Sequence, residues 1–371
     1  MPIHCKAAIT RGKQDFSIEE IIVADPAPDE ILVQIKAAGL CHTDYDSLNW
    51  GKTMILGHEG AGLVVKAGSA VTDFKTGDPV ILNWAMSCGH CFQCGQGNVH
   101  LCENNSPVTG GTHGPNTGHA HAMGTTQNNV PIQRSFNLGT LSEYTLVKAA
   151  AAVLNTAAEM SFPAASILSC GVMTGYGSVV NAARVRPGST VVVLGSGGVG
   201  LSVIQAARIS GAVKIIAIDI NPARLEMAST FGATHLILAN SQDQGLISAS
   251  LQVKEICENR GADYAFECTA RPELGAAPLA MVRNAGTAIQ VSGIEQSIPF
   301  DMNLFEWDKI YMNPLYGKCK PQIDFPALIA LYSDKQLMLE EMITRTYPLT
   351  ELKQAFQDML QGKNAKGVII F

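Results

Sequence analysis

The stretch at residues 191–219, VVVLGSGGVGLSVIQAARISGAVKIIAID, decides how this chain is read. An apolar, mostly β-branched run at 191–194 stops at Gly195-Ser196-Gly197-Gly198-Val199-Gly200. An amphipathic run follows to Ser210, and a second apolar run at 215–218 ends in Asp219. That order predicts strand, tight turn, helix, strand. In a G-x-G-x-x-G turn the first glycine makes the bend, the second lets backbone approach a pyrophosphate, and the third lets helix and strand pack closely. Here they are Gly195, Gly197 and Gly200. The helix start at Gly198 and Val199 offers free N–H groups and partial positive charge to phosphates. Asp219 can accept hydrogen bonds from a ribose diol and repels a 2′-phosphate, so NAD is expected over NADP. A plain βαβ turn with a surface Asp is the alternative. The strand before, the helix after and the acid ending the next strand supply the context that the motif requires.

Outward from this unit, βα alternation continues from 190 to about 310. Residues 233–238, 264–268 and 287–291 read as strands, and 247–258 and 272–282 as helices. This predicts a doubly wound parallel sheet. After about residue 315 the pattern breaks into helices at 325–333 and 350–361 and a closing strand at 367–371. On the other side, residues 151–185 read as helical, with Cys170 in a Ser-Cys-Gly-Val turn. Residues 1–80 read as β-rich and barrel-like, with short strands at 31–36, 62–65 and 79–82. The alternation of 31–36 is that of a half-buried strand. Residues 103–137 read as a long irregular loop, and strand-like alternation returns at 139–147. His113, His119 and His121 in that loop are candidates for a stray metal, against a plain solvated loop.

The chain has 371 residues, which points to two domains. At 47% hydrophobic and 16% charged it can bury large cores. The net charge of −6, with no basic run, argues against nucleic acid or an anionic membrane as partner. The N-terminus carries no basic-then-apolar signal, and no apolar stretch reads as long enough to span a bilayer. The expectation is a cytoplasmic protein, in which ten cysteines point to metal sites rather than disulfides.

Cys88, Cys91, Cys94 and Cys102 follow a C-x2-C-x2-C-x7-C spacing. Four thiolates so close in sequence suit a tetrahedral structural Zn²⁺; a Cys-rich iron–sulfur loop is the competing reading. Two further patches, GLCHTD at 39–44 and GHEG at 57–60, are each weak alone. Taken with Cys170 they offer two thiolates and one imidazole, Cys41, His58 and Cys170. That is the donor set of a catalytic zinc with one position open.

With GLCHTD, GHEGAG at 57–62, the four-cysteine lobe, Cys170, GSGGVG, AIDINPAR at 217–224 and the ending KGVIIF, the chain resembles the zinc-dependent medium-chain alcohol dehydrogenases. More narrowly it is similar to the longer forms, the animal liver enzymes and glutathione-dependent formaldehyde dehydrogenases. The resemblance implies an α/β fold: a Rossmann doubly wound parallel sheet plus a β-rich, GroES-like catalytic domain. It implies a catalytic domain at 1–170, with a structural zinc lobe at 86–103, completed by 316–371, and an NAD-binding domain at 171–315. It also implies two zinc ions per chain, NAD as cofactor, and a homodimer that extends one Rossmann sheet into the next.

The resemblance assigns roles by position. Cys41, His58 and Cys170 would ligate the catalytic zinc, and Glu59 would sit beneath it and bind it transiently. Asp44 would hold the free nitrogen of His58, and Thr43 would pass the substrate proton to the nicotinamide ribose. His42 and Lys366 would meet the cofactor pyrophosphate, and Asp219 and Arg224 the adenosine ribose. Trp84 aligns with a substrate-pocket aromatic. One departure is Asp46, where many relatives carry a His that finishes the proton path. The implied reaction is reversible hydride transfer between a primary or aromatic alcohol and NAD. Thiol-dependent formaldehyde oxidation and a hydride shuttle with tightly held cofactor are enzymatic alternatives. A non-catalytic protein that kept the fold fits poorly with a complete set of site residues.

Overall fold

The computed structural model describes residues 1–109 and 124–371; His113, His119 and His121 lie outside the described residues. The chain divides into two compact units, residues 1–170 with 320–371, and residues 171–319.

The second unit is built on a parallel sheet of six strands. In spatial order they are His235–Leu238, Lys214–Asp219, Thr190–Leu194, Ala262–Glu267, Val282–Gln290 and Ile310–Met312. The chain therefore starts in the middle, runs to one edge, returns and runs to the other. That reversal lies between Thr190–Leu194 and Ala262–Glu267, and in such sheets ligands bind at the strand ends beside the reversal. Val191, Val192, Val193 and Leu194 are all fully buried, as expected of a central strand covered on both faces. The helix Gly198–Ile209 buries Leu201, Val203, Ile204, Ala206 and Ala207.

The first unit is β-rich. One six-stranded sheet pairs Ile3–Thr10 with Phe16–Val23 along their whole length, around a core of Ile9, Ile21, Ile55 and Leu146. The other sheet is organised on Glu30–Gly39. This strand is hydrogen-bonded to Ala61–Ala67, to Tyr144–Lys148 and to Lys366–Ile370. It was expected to be half-buried at 31–36. It is longer, and over the second half of that span the expected alternation holds, with Ile35 buried and Gln34 and Lys36 half-buried.

Four further expectations are corrected. Residues 151–185 are not helical throughout. Ala152–Leu154 is a strand pairing with Pro79–Leu82, and the helix starts at Phe162, where Ser161 accepts the Ala164 N–H. Residues 272–282 hold a short turn, the helix Ala277–Met281, and then Val282, which opens a strand in register with Ala262. The region 103–137 is not wholly irregular. Thr125–Gln127 and Val130–Pro131 form a hairpin across Asn128 and Asn129, both with left-handed backbone. Two Asn residues between short polar–apolar runs are a hairpin signal. The run Phe162–Ala183 is long and apolar enough to cross a bilayer by length and composition, although most of it is buried within the protein.

Candidate functional site

Three strand ends of the first unit meet at one place. Glu30–Gly39 ends just before Leu40 and Cys41. Ala61–Ala67 begins just after His58, Glu59 and Gly60, and pairs its Ala61 with Ala37. Lys366–Ile370 runs antiparallel to the same strand, with Val368 opposite Gly39 and Leu40 N–H donating to the Gly367 carbonyl at 3.0 Å. A fourth segment is tied on by Ser169. Its Oγ accepts the Gly60 N–H at 3.1 Å and donates to the Gly60 carbonyl at 3.2 Å. This sets Cys170, which lies in a π-helical turn at Leu168–Val172. Such turns recur at functional sites because the extra residue redirects a side chain.

The result is a cluster of Cys41, His58, Glu59 and Cys170, whose ligating atoms all lie within 4.8 Å of one another. Asp44 braces two of these residues. Its Oδ1 takes the His58 Nδ1 at 2.7 Å, and its Oδ2 accepts the Cys41 N–H at 3.2 Å. Asp44 is fully buried, so the imidazole is fixed with Nε2 left to act as a ligand. The Thr43 hydroxyl lies 3.6 Å from the Cys41 sulfur.

Electrostatics inside the cluster are those of a site awaiting a cation. A hydrogen bond from Cys170 holds the Cys41 thiol well below its ordinary range, against burial and with help from His58. The same contact, with burial, pushes Cys170 well up. Burial opposes protonation of His58, but Asp44 outweighs it and raises the imidazole well above its usual value. A dication bound among these groups would displace their protons. Two thiolates and a neutral imidazole suit Zn²⁺.

Glu59 has a separate partner. The buried Lys366 ammonium donates to Glu59 Oε2 at 2.6 Å, to Oε1 at 2.9 Å and to the Leu40 carbonyl at 2.9 Å. These three acceptors use its three N–H bonds. Lys366, expected to meet the cofactor pyrophosphate, here turns its side chain inward to Glu59 and the Leu40 carbonyl. Burial pushes Glu59 up to about 7, opposed by Lys366. Gly39 makes room, since a Cβ there would lie 2.0 Å from Glu59 Oε2. His42, by contrast, is exposed at the start of the helix His42–Asp46, and Asp46 is exposed at its end.

The second cluster is Cys88, Cys91, Cys94 and Cys102, again within 4.8 Å of one another. The Cys91 and Cys102 sulfurs are 4.0 Å apart. A tetrahedron with Zn–S of about 2.3 Å places sulfurs about 3.8 Å apart, so the set fits such an ion. Backbone N–H groups of Cys91 and Asn105 point at the Cys88 and Cys102 sulfurs, each at 3.3 Å. Burial opposes ionisation of Cys88, but N–H donors from His90 and Cys91 bring it down to about 6. Burial leads in pushing Cys94 up to about 12.

In the second unit, Gly195 has φ +86° and ends the central strand. A Cβ on Gly200 would lie 1.8 Å from the Gly195 carbonyl oxygen, so helix and turn touch there. A Cβ on Gly197 would meet nothing within 4 Å, which leaves an open cradle at the N-terminus of the twelve-residue helix. Gly198 and Val199 form the first turn of that helix. Asp219 is buried; Oδ2 accepts the Ser196 N–H at 2.7 Å and Oδ1 the Asn221 N–H at 2.9 Å. Each oxygen keeps a lone pair. Arg224 stands in the first turn of the next helix, Pro222–Phe231, and its buried Nε has no partner among the described residues. An open phosphate cradle, an oriented carboxylate and an orphaned guanidinium nitrogen fit a dinucleotide.

Sequence reasoning missed two features. One is Phe136, which stacks on the His58 ring with centroids 4.7 Å apart. No local motif marks it. The other is the inward role of Lys366, which appears only once its strand is paired.

Comparison with known proteins agrees with this geometry. Residues 27–157 match the family model described as alcohol dehydrogenase GroES-like domain, and residues 198–333 match zinc-binding dehydrogenase. The chain is 34% identical over 377 residues to alcohol dehydrogenase 6 of Peromyscus maniculatus, covering 99% of this chain and 98% of that one. Among solved structures it is similar to an alcohol dehydrogenase zinc-binding domain protein from Burkholderia ambifaria. There the TM-score is 0.89 and the identity 30%, with both chains fully covered. It is also similar to benzyl alcohol dehydrogenase from Acinetobacter calcoaceticus, with TM-score 0.86 and 30% identity over 100% of this chain and 99% of that one.

Proposed function

The chain belongs to the zinc-dependent medium-chain alcohol dehydrogenase family, and from that premise we propose that it catalyses reversible hydride transfer between a primary or aromatic alcohol and NAD. The observation that carries this reading is the Cys41–His58–Cys170 donor set with Thr43 beside it and Asp44 behind it. We propose two zinc ions per chain, one in each donor cluster. When bound, the catalytic zinc supplies Lewis-acid polarisation of the alcohol oxygen and NAD supplies the hydride acceptor.

The chain's own residues do the rest. Asp44 holds the His58 ring and the Cys41 backbone, so two ligands are oriented by one buried carboxylate. The Thr43 Oγ takes the alcohol proton and passes it toward the nicotinamide ribose. Lys366 neutralises Glu59 and keeps that carboxylate beside the donor atoms. Gly197 and the helix after it receive the pyrophosphate, and Asp219 and Arg224 receive the adenosine ribose. Asp219 favours NAD because its charge repels a 2′-phosphate. The edge strand Ile310–Met312, with Ile310 and Trp307 exposed, supports a homodimer formed by sheet extension.

The test is a panel of alcohols followed by NADH absorbance, with metal analysis of the same preparation. The reading expects about two zinc ions per chain and NAD-dependent oxidation of at least one primary or aromatic alcohol. Bound zinc and NAD without turnover of any alcohol would refute it.

A further inference from the structure

Glu267 is a fully buried carboxylate at the C-terminal end of a central strand of the second unit. It pairs with Leu194, which ends the strand before the glycine turn, and on its other side with Gln290. Its Oε1 accepts the Thr269 N–H at 2.6 Å and the Thr269 hydroxyl, and its Oε2 accepts the Ser292 hydroxyl. These donors are all uncharged. Asp44, Glu59 and Asp358 are buried to the same degree, and each has an imidazole, ammonium or guanidinium nitrogen within 3.0 Å. A charge buried without a counter-charge is costly, and such costs concentrate at functional sites.

The place of this charge gives it something to act on. The Glu267 carbonyl accepts the Val291 and Ser292 N–H groups at 2.9 and 3.2 Å, and the Cys268 N–H donates to the Leu194 carbonyl at 2.8 Å. The carboxylate is thus clamped among three neighbouring strand ends. Thr269 reaches the glycine turn, its Cγ2 lying 2.9 Å from where a Cβ on Gly195 would be. Beyond Ser292, a Cβ on Gly293 would meet nothing within 4 Å. Ligands of such sheets bind at the strand ends beside the reversal. Asp219 ends Lys214–Asp219 on one side of it, and Arg224 follows. That side takes the adenosine half, which leaves the nicotinamide half to the side of Ala262–Glu267 and Val282–Gln290. The field of Glu267 is felt on that side: burial pushes Tyr311 up to about 12, and the Glu267 charge adds to it.

We propose that the Glu267 carboxylate sets the balance between the two oxidation states of the bound cofactor. Its negative charge favours the cationic nicotinamide ring of NAD⁺ over the neutral ring of NADH. This rests on the reading of the glycine turn and Asp219 as an NAD site. Hydride transfer from the alcohol carbon brings two electrons and one proton to the ring, whose positive charge is lost; the alcohol's oxygen proton leaves separately. A fixed negative charge therefore acts on the two forms differently. Hydrogen bonds to the pyrophosphate and riboses act on both alike. No contact is needed, because charges inside a protein are far less screened than charges in water. Unequal affinity for two forms shifts the equilibrium between them by the same factor. Bound NADH thus becomes the better hydride donor, and its release the easier.

The experiment measures Kd for NADH by its fluorescence enhancement and Kd for NAD⁺ by displacement of NADH. It uses the zinc-loaded protein as wild type, Glu267→Gln, Glu267→Asp and Ser292→Lys. Glu267→Gln keeps an acceptor for the Thr269 N–H and removes the charge. The ratio of Kd for NAD⁺ to Kd for NADH is expected to rise roughly tenfold, nearly all of it in NAD⁺. Glu267→Asp keeps the charge and shortens its reach, so the ratio is expected to stay within about twofold of wild type even where both affinities fall. Ser292→Lys brings a cation beside the carboxylate from a half-buried position and is expected to raise the ratio as Glu267→Gln does. It decides the matter if Glu267→Gln does not fold. An unchanged ratio in Glu267→Gln, whether or not both forms weaken, overturns the proposal. So does an equal change of ratio in Glu267→Asp, which would make Glu267 a brace and nothing more. If the wild type binds both cofactor forms but oxidises no alcohol, the proposed function fails while the ratio still decides Glu267. If it binds neither form, both fail.

Discussion

Lys366→Met removes the ammonium that is hydrogen-bonded to Glu59 inside the first unit. The Glu59 side chain is fully buried and that of Lys366 is 7% exposed, with N–O distances of 2.6 and 2.9 Å. At an effective dielectric of about 20, charges about 3 Å apart attract by roughly 6 kcal/mol, and desolvation of both groups offsets much of it. Breaking such a pair by removing one partner costs about 3–5 kcal/mol, because a buried charge is left uncompensated. For a unit of this size each kcal/mol moves Tm by about 2–4 °C, so melting should fall on the order of 10 °C. Removing both charges, in Glu59→Gln with Lys366→Met, should restore most of the loss.

The deficit should depend on pH in a definite direction. Burial raises Glu59 to about 7 in the folded protein, from an ordinary 4.5. A group with a raised folded pKa contributes stability that is complete below its unfolded pKa and is lost as pH rises through the folded one. Without Lys366 the folded value rises further, so the variant's deficit should widen between pH 6 and pH 9. Thermal melts at both pH values, with KM for NAD, decide the matter. If the variant melts within about 2 °C of wild type at both pH values while KM for NAD rises tenfold, the buried-pair argument is wrong and Lys366 serves phosphate instead.

Cys88→Ala should remove about one zinc ion per chain and lower Tm by several degrees, since metal binding in such a lobe is coupled to folding; unchanged zinc content and melting would refute the structural assignment. Asp219→Ser should shift the NADP-to-NAD preference by roughly tenfold or more toward NADP, the size of a lost charged hydrogen bond; a wild type that already prefers NADP would refute the reading of Asp219. Thr43→Ala should lower kcat by about a hundredfold or more while Thr43→Ser keeps it, because only the hydroxyl moves the proton. Asp46→Asn should leave the pH profile of alcohol oxidation nearly unchanged; a large loss recovered with imidazole buffer would put Asp46 in the relay.

The second unit was legible because its information is local. The glycine turn, its flanking apolar runs and Asp219 lie within one contiguous stretch, and each residue's conformation follows from its own neighbours. Gly195 needs a positive φ, and Gly200 must admit a carbonyl at 1.8 Å from where its Cβ would be. The four-cysteine lobe is local in the same sense: fifteen residues carry all four sulfurs and several of the N–H groups that point at them. Errors fell where tertiary context overrode a local pattern. Val282 looked helical but is claimed by the strand that pairs with Ala262.

The first cluster belongs to a different kind of information. Its residue types could be picked out one by one, but what each does depends on sheet register. Lys366 reaches Glu59 because Val368 pairs with Gly39, which sets Gly367 opposite Leu40 and brings the Lys366 ammonium to the Leu40 carbonyl. A shift of one residue would turn the lysine to the other face of the sheet and break its contact with Glu59. Nothing in KGVIIF states that register. It is fixed by antiparallel pairing with a strand more than three hundred residues away and by the absence of a side chain at Gly39. Phe136 is the same case in a loop. Its ring lies on His58 because the turn after it is hydrogen-bonded to Leu56 and Gly57, and because the structure tolerates a left-handed phenylalanine. The ligands are thus named by the sequence, while the groups that tune them are set by pairing across the sheet and by one strained turn. Substitutions at Lys366 and Phe136 therefore test the assembly of the site separately from the identity of its ligands.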